Sequence, residues 1–273
     1  FGMGKGGTQQ EAGTFGYDLG ALQPMIDESM YLIPKIMVQD EIEHDGEYIQ
    51  IPRRPIHPKP YQDPHPPLYM ACTRADALTT AGSRGIGALV LGFAGPDDIA
   101  AKNAIYRAAW ADRKAEDQVG FRPTEHLAAL CPALVLDDRE KARRIGLRGQ
   151  RFFVESLGYW YQGGPKPTVE DLSGDEQAAI LQQEKAAVVA YLSEEKITIG
   201  SEHTGAYEEV QDAYGTADDC IRYVQRLFDA GADEILFLFQ MGAVPHDVIL
   251  ETIRNIGTHV IPHFRAQAAV AAQ

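Results

Sequence analysis

The residues best equipped for chemistry stand at the start of the chain, in Phe1-Gly-Met-Gly4-Lys5-Gly-Gly7. A lysine among glycines offers a cation on a backbone that a flat or phosphorylated ligand can approach closely, because glycine has no Cβ to hold it off. The letters also satisfy the GxGxxG pattern of dinucleotide sites, but that fingerprint needs a strand before it and an amphipathic helix after it. Residues 8–16 are polar and glycine-containing, so the segment reads instead as a strand end that meets a ring and a phosphate, with a plain Gly-rich turn as the alternative. A second candidate lies at Thr73 and Arg74, where a hydroxyl, a guanidinium and free N–H groups converge on a predicted helix N-terminus, a natural place for an anion. Caps of this kind are common, and alone the signal is weak.

The histidines carry less. His203, in Ser201-Glu-His-Thr, has the chemistry of a general acid or base, yet a lone loop histidine is usually solvated. His57 and His65 lie in a Pro-rich stretch whose stiffness does not suit a metal site, and both are expected at the surface. No HExxH, GxSxG or Walker motif occurs, which removes the common metalloprotease, hydrolase and nucleotide-hydrolase readings. The three cysteines, Cys72, Cys131 and Cys220, are far apart and without metal-ligand spacing. They read as reduced, buried thiols. No catalytic residue and no metal ligand is assigned from the sequence.

Positioning these groups requires strands and helices, and the chain alternates them. Pro67–Thr73 is a short apolar strand entered from the Pro-rich stretch 52–67, and Thr73-Arg-Ala-Asp76 has capping-box spacing for the helix after it. Gly87–Phe93 is a continuous apolar run, as expected of a parallel strand covered on both faces. A helix over 96–113, a strand in 127–136 and a helix from Asp138 to about Leu157 continue the rhythm. Thr216 and Asp219 repeat the capping spacing before a stripe of Ile221, Val224, Leu227 and Phe228, and Glu234–Phe239 is another buried strand. The last helix is predicted to bury Val248, Ile249, Ile253, Ile256 and Val260. Such alternation argues for an α/β fold with a parallel sheet, doubly wound or closed into a barrel. Two stretches interrupt it: a hairpin at Asp45-Gly46, and a long insertion over 159–215, read as a lid or as a peripheral decoration.

Composition bounds the rest. The 273 residues, 45% hydrophobic, suit one large α/β domain. The formal net charge of -14 and the absence of a basic block argue against nucleic acid as a partner. No apolar run reaches the ~18 residues of a membrane span and no secretory signal is present, so a cytoplasmic protein is expected.

Taken in order, several segments resemble the luciferase-like flavin-dependent monooxygenases and their deazaflavin-dependent relatives. They are Phe1-Gly-Met-Gly-Lys-Gly with Phe15-Gly-Tyr-Asp, the Asp45-Gly-Glu-Tyr hairpin, Pro58-Lys-Pro-Tyr-Gln-Asp-Pro-His-Pro-Pro-Leu-Tyr-Met-Ala, Gly215-Thr-Ala-Asp-Asp-Cys-Ile and Leu238-Phe-Gln-Met-Gly-Ala-Val-Pro-His246. The resemblance implies a (β/α)8 TIM barrel of which the strands near 1, 67, 88, 127 and 234 are the fourth to eighth. The first three strands, roughly 100 residues by barrel arithmetic, would then precede Phe1.

By the same resemblance Lys5 grips a flavin phosphate, with Thr73 and its backbone completing the site. Gly4, Ala71, Gly92 and Phe93 border the ring, and Gln240 faces the pocket. Gln23 stands where a second phosphate-binding Arg is often found, which implies weaker phosphate binding or a compensating charge from Arg74. The implied activity inserts one oxygen atom from O2 into a small organic substrate, using reduced FMN supplied by a flavin reductase, in a homodimer or a heterodimer with a homologous chain. The alternatives are hydride transfer with the deazaflavin F420 and a non-catalytic flavin-binding or partner subunit.

Overall fold

The computed structural model describes residues 1–6, 8–92, 95–162, 166–167, 213–242 and 244–271. In chain order the elements are β1 (Gly2–Met3), α1 (Gln9–Phe15), α2 (Leu22–Val38), β2 (Glu41–Asp45), β3 (Gln50–Pro55), β4 (Tyr69–Cys72), α3 (Ala75–Ser83), β5 (Gly87–Leu91) and α4 (Pro96–Ala111). There follow β6 (Leu127–Pro132), β7 (Leu134–Val135), α5 (Arg139–Gln162), β8 (Tyr214–Gly215), α6 (Ala217–Asp229), β9 (Glu234–Leu238), α7 (His246–Asn255) and α8 (Ile261–Ala271). A π-helical turn, Ile256–Val260, joins the last two helices. The strand order β1-β4-β5-β6-β9 makes a five-stranded sheet, built from the strands expected near 1, 67, 88, 127 and 234. The chain packs as two compact units, residues 1–89 with 104–127, and residues 90–103 with 128–273.

In the first unit β1 runs parallel to β4, with Gly2 opposite Tyr69 and Met3 opposite Met70. The polar stretch after Lys5 is not a loop. Thr8 and Glu11 close a capping box, the Thr8 hydroxyl accepting from the Glu11 amide at 3.2 Å and the Glu11 carboxylate from the Thr8 amide at 3.0 Å, and this starts α1. The expected hairpin is present as antiparallel β2 and β3. Its turn is held by Glu28 of α2, whose carboxylate accepts the amides of Tyr48 and Ile49, both at 2.9 Å, and contacts His44 Nε2 at 2.8 Å. The Tyr48 amide, ahead of smaller contributions from His44 and Ile49 and against some desolvation, holds this carboxyl below its usual range. At Gly46 a Cβ would lie 2.0 Å from the Glu28 carboxylate, so a larger residue there would displace it.

His65 departs from expectation. His57 is exposed, but His65 is fully buried. Its Nδ1 donates to the Pro66 carbonyl at 2.8 Å and its Nε2 accepts the Phe121 amide at 2.9 Å, which fixes a neutral ring with the proton on Nδ1. Phe121 lies in a bend outside any strand, and the imidazole supplies its amide with an acceptor.

In the second unit β6 pairs parallel with β9, Ala128 opposite Glu234 through Pro132 opposite Leu238. The single strand expected over 127–136 is broken at Pro132-Ala133, and the following residues, β7, pair instead with β8. Leu134, Leu136, Leu147, Tyr214, Met241 and Val248 form one core cluster, and Val135, Cys220, Val224, Ile256 and Val260 another. Of the predicted inner face of the last helix, Val248, Ile249, Ile256 and Val260 are buried, but Ile253 is 47% exposed. Thr252 takes the inward position, and its hydroxyl accepts the Val135 amide at 3.2 Å. All three cysteines are buried free thiols. Burial pushes Cys131 well up, and burial with the nearby Asp219 charge pushes Cys220 up to about 12. Most of the 159–215 insertion, with His203, lies outside the described residues.

Candidate functional site

Because β1 and β4 are parallel neighbours in register, the residues that follow them leave the sheet side by side. Gly4 lies against Ala71: a Cβ built on the glycine would meet the alanine Cβ at 3.9 Å, and both residues are exposed. Lys5 and Thr73 come next on their respective strands. Two segments almost seventy positions apart therefore deliver a cation, a hydroxyl and a helix start to one end of the first unit.

The helix start differs from the expected one. The N-cap of α3 is Arg74, not Thr73, and it makes no side-chain capping bond. The frame has moved by one residue, so Asp76 falls one position short of the place a capping box demands. Instead Asp76 accepts its neighbour's amide, from Ala77 at 2.8 Å, and pairs with Arg74 through two bonds, Nε to Oδ1 at 3.0 Å and Nη2 to Oδ2 at 2.7 Å. Partial burial pushes the Asp76 carboxyl up, but the Arg74 bond and charge, the Ala77 amide and the charge of Lys5 outweigh it and hold the group below its usual range. Arg74, considered from the sequence as a compensating charge, is paired with Asp76.

Lys5 itself bonds a neutral group, the Gln23 Oε1 at 3.3 Å. Gln23 in turn donates to Asp27 at 3.3 Å, and Asp27 is held by Arg84 at 2.5 Å. The Gln23–Asp27 spacing is that of neighbours on one helix face, whereas the Lys5–Gln23 bond joins residues 18 positions apart. Among the described residues Lys5 has no carboxylate within ion-pair distance. Ammonium, first-turn amides and small strand-end residues together suit a phosphate with a flat ring attached.

The other predicted residues belong to the second unit. Gly92 follows β5, and a Cβ there would lie 2.5 Å from the Leu130 carbonyl, which itself accepts the Gly92 amide at 2.9 Å. Backbone proximity alone demands glycine at this position. The strand end beside it is tied by Lys102, which donates to the Leu91 carbonyl at 2.8 Å and pairs with buried Asp98. Gln240 follows β9, is exposed, and donates to the Gly242 carbonyl at 3.1 Å. Phe93 lies outside the described residues. A groove of about 550 Å³ in this unit is lined by Val224, Phe228, Ile235, Phe237, Val260 and Phe264 among others. Its chemistry is almost wholly apolar. Among the described residues no His, Cys, Asp or Glu cluster suits a metal, and no helix is long and apolar enough to cross a membrane.

Fold and strand-end chemistry lead to one family. The profile of the luciferase-like monooxygenases matches residues 1–234, and the chain belongs to that family. Its α/β fold is accordingly of the luciferase-like TIM-barrel type, with β1, β4, β5, β6 and β9 as its parallel strands. Among solved structures it is similar to the monooxygenase RslO1 of Streptomyces bottropensis, with TM-score 0.64 and 17% identity over 96% of this chain and 68% of that one. It is also similar to the oxygenating constituent of 3,6-diketocamphane monooxygenase of Pseudomonas putida, solved with FMN, with TM-score 0.62 and 16% identity over 96% and 70%. A third is the coenzyme F420-dependent tetrahydromethanopterin reductase of Methanopyrus kandleri, with TM-score 0.59 and 19% identity over 96% and 73%. These likenesses show the fold. A sequence relative, the uncharacterized protein y4wF of Sinorhizobium fredii, is 26% identical over 91 residues, which span 33% of this chain and 27% of the relative.

Proposed function

We propose that the chain is a cytoplasmic flavin-dependent monooxygenase that inserts one oxygen atom from O2 into a small organic substrate, with reduced FMN supplied by a separate reductase. The observation that carries the reading is the juxtaposition, at the ends of two adjacent parallel strands, of Lys5 with the uncapped start of α3. Lys5 and the amides of Ala75 and Asp76 hold the FMN phosphate, and Gly4 and Ala71 leave room for the ring to approach the backbone. The flavin, when bound, supplies the oxygen chemistry. What the protein adds is orientation and exclusion of water, a division of labour that needs no catalytic dyad and accords with the absence of one from the sequence. Dimerisation, with itself or with a homologous chain, belongs to the same reading.

Hydride transfer with deazaflavin is the second reading, favoured by the F420 dependence of the Methanopyrus kandleri reductase, whose fold is similar. The test is titration with FMN, with O2 consumption measured on the reduced complex. Lys5→Ala should weaken FMN binding by about 1–3 kcal/mol, the scale of a lost charge-assisted contact. Unchanged affinity removes the phosphate role. Tight binding of F420 in place of FMN, without O2 uptake, selects the second reading.

A further inference from the structure

We infer that Lys102 is a positioning residue for the ring of the bound flavin, acting through one peptide group, Leu91–Gly92, at the C-terminal end of β5. The inference rests on the flavin reading above and extends it to the second unit. Two hydrogen bonds belong to that one group. Its carbonyl, from Leu91, accepts the Lys102 ammonium at 2.8 Å, and its N–H, from Gly92, donates to the Leu130 carbonyl of β6 at 2.9 Å. The group is gripped from both sides, so its plane is fixed. Only glycine fits beside it, since a Cβ on Gly92 would lie 2.5 Å from that same Leu130 carbonyl. Because the donor at one end is charged, its bond is a strong one, and it polarises the N–H at the other end.

Lys102 is set in turn by Asp98, one turn earlier on α4, and the pair is buried, with Lys102 5% and Asp98 2% exposed. Stability alone does not account for it. Two opposite buried charges gain little over apolar side chains of the same volume, and α4 already buries Ile99 and Tyr106. What the ion pair provides, and an apolar pair could not, is a donor to a strand-end carbonyl. In a barrel of parallel strands the ligand lies at the C-terminal ends of the strands, and β5 ends at Leu91. A carbonyl freed from Lys102 could turn its negative end to that ligand. Bound to the ammonium, it stays in place and its charge is balanced, while Asp98 keeps the lysine from adding a net charge of its own.

The test uses the whole chain, anaerobically and at mildly alkaline pH, where the reduced ring of FMN carries a negative charge that the oxidised ring lacks. Affinities for oxidised and reduced FMN, and the melting temperature, are measured for the wild type, Lys102→Met and Asp98→Asn. One variant removes a cation and the other leaves it unbalanced, so a ring placed by this strand end feels them in opposite senses. The ratio of reduced to oxidised affinity should fall about threefold or more in Lys102→Met and rise by a similar factor in Asp98→Asn, the scale on which a partly buried charge acts over several ångströms. A merely structural pair lowers the melting temperature in both and leaves the ratio where it was, and that result overturns the inference. Should the variants not fold, the wild type decides: FMN should shift the NMR signals of the Gly92 amide and the Lys102 ammonium, and signals that stand still overturn the inference. Failure of the wild type to bind FMN overturns the flavin reading itself, and this inference with it.

Discussion

Two helix starts in this protein carry the same letters at the same spacing and end differently. Thr216 and Asp219 form a complete capping box at α6, with the Thr216 amide and hydroxyl both on the Asp219 carboxylate at 2.9 Å. Asp219 is buried and further gripped by Arg139 and Arg222. At α3, Thr73 and Asp76 miss each other by one residue of frame, and the N-cap makes no side-chain bond. The first helix end is satisfied within the protein. The second spends the Ala77 amide on Asp76 and has no N-cap side-chain bond, beside a lysine whose own partner is neutral. A helix N-terminus without a side-chain cap leaves amides that an anion can accept from.

The comparison can be broken most severely at its closed end. Asp219→Ala should lower stability by about 2 kcal/mol, the upper range for a lost cap, and should leave FMN affinity unchanged in the folded fraction; denaturant melts with flavin titration check both. The Asp219 carboxyl is pushed up by burial but held lower overall by the Thr216 bonds and the two arginines. Its contribution to stability is therefore present above the unfolded carboxyl's range and lost as pH falls through the depressed folded value. The gap in melting temperature between the wild type and Asp219→Asn should accordingly be full at neutral pH and close below about pH 4.

Closing the open end is the next step. Arg74→Thr with Ala77→Glu places a capping box in the frame that α3 uses, and should stabilise the protein by about 1 kcal/mol. The same pair of changes puts a carboxylate where the phosphate is expected, so FMN should bind at least tenfold more weakly. A variant that gains stability and keeps its affinity separates the helix start from the ligand. The smallest effect is expected from Thr73→Ala, under about 0.5 kcal/mol in stability, because Thr73 makes no capping bond; a loss typical of a cap would show that the frame has been misjudged.

The same pair of helices marks how far the sequence could be read. The parallel strands were legible because their apolar runs are bounded by glycine and cap residues, as in Gly87–Leu91, and the hairpin because Asp45-Gly46 suits a tight turn. Residue type alone could not set the frame at α3, since it depends on where β4 lets go of its neighbour. His65 was misplaced for a related reason: its partner amide, Phe121, is 56 residues away and is brought near only by folding. Gln23 was visible as a departure from the family's pattern, yet its bond to Lys5 crosses 18 residues. Local signals named the elements and the candidate lysine, while its partners came from contacts distant in the chain.

The central claim is that Lys5 and the start of α3 enclose one phosphate, and backbone amide NMR reads it directly. Titration with FMN should move the amide signals of Gly6, Ala75 and Asp76, and riboflavin, which lacks the phosphate, should leave them in place. Equal shifts with both flavins, or shifts by FMN confined to the apolar groove of Val224, Phe237 and Phe264, would contradict it.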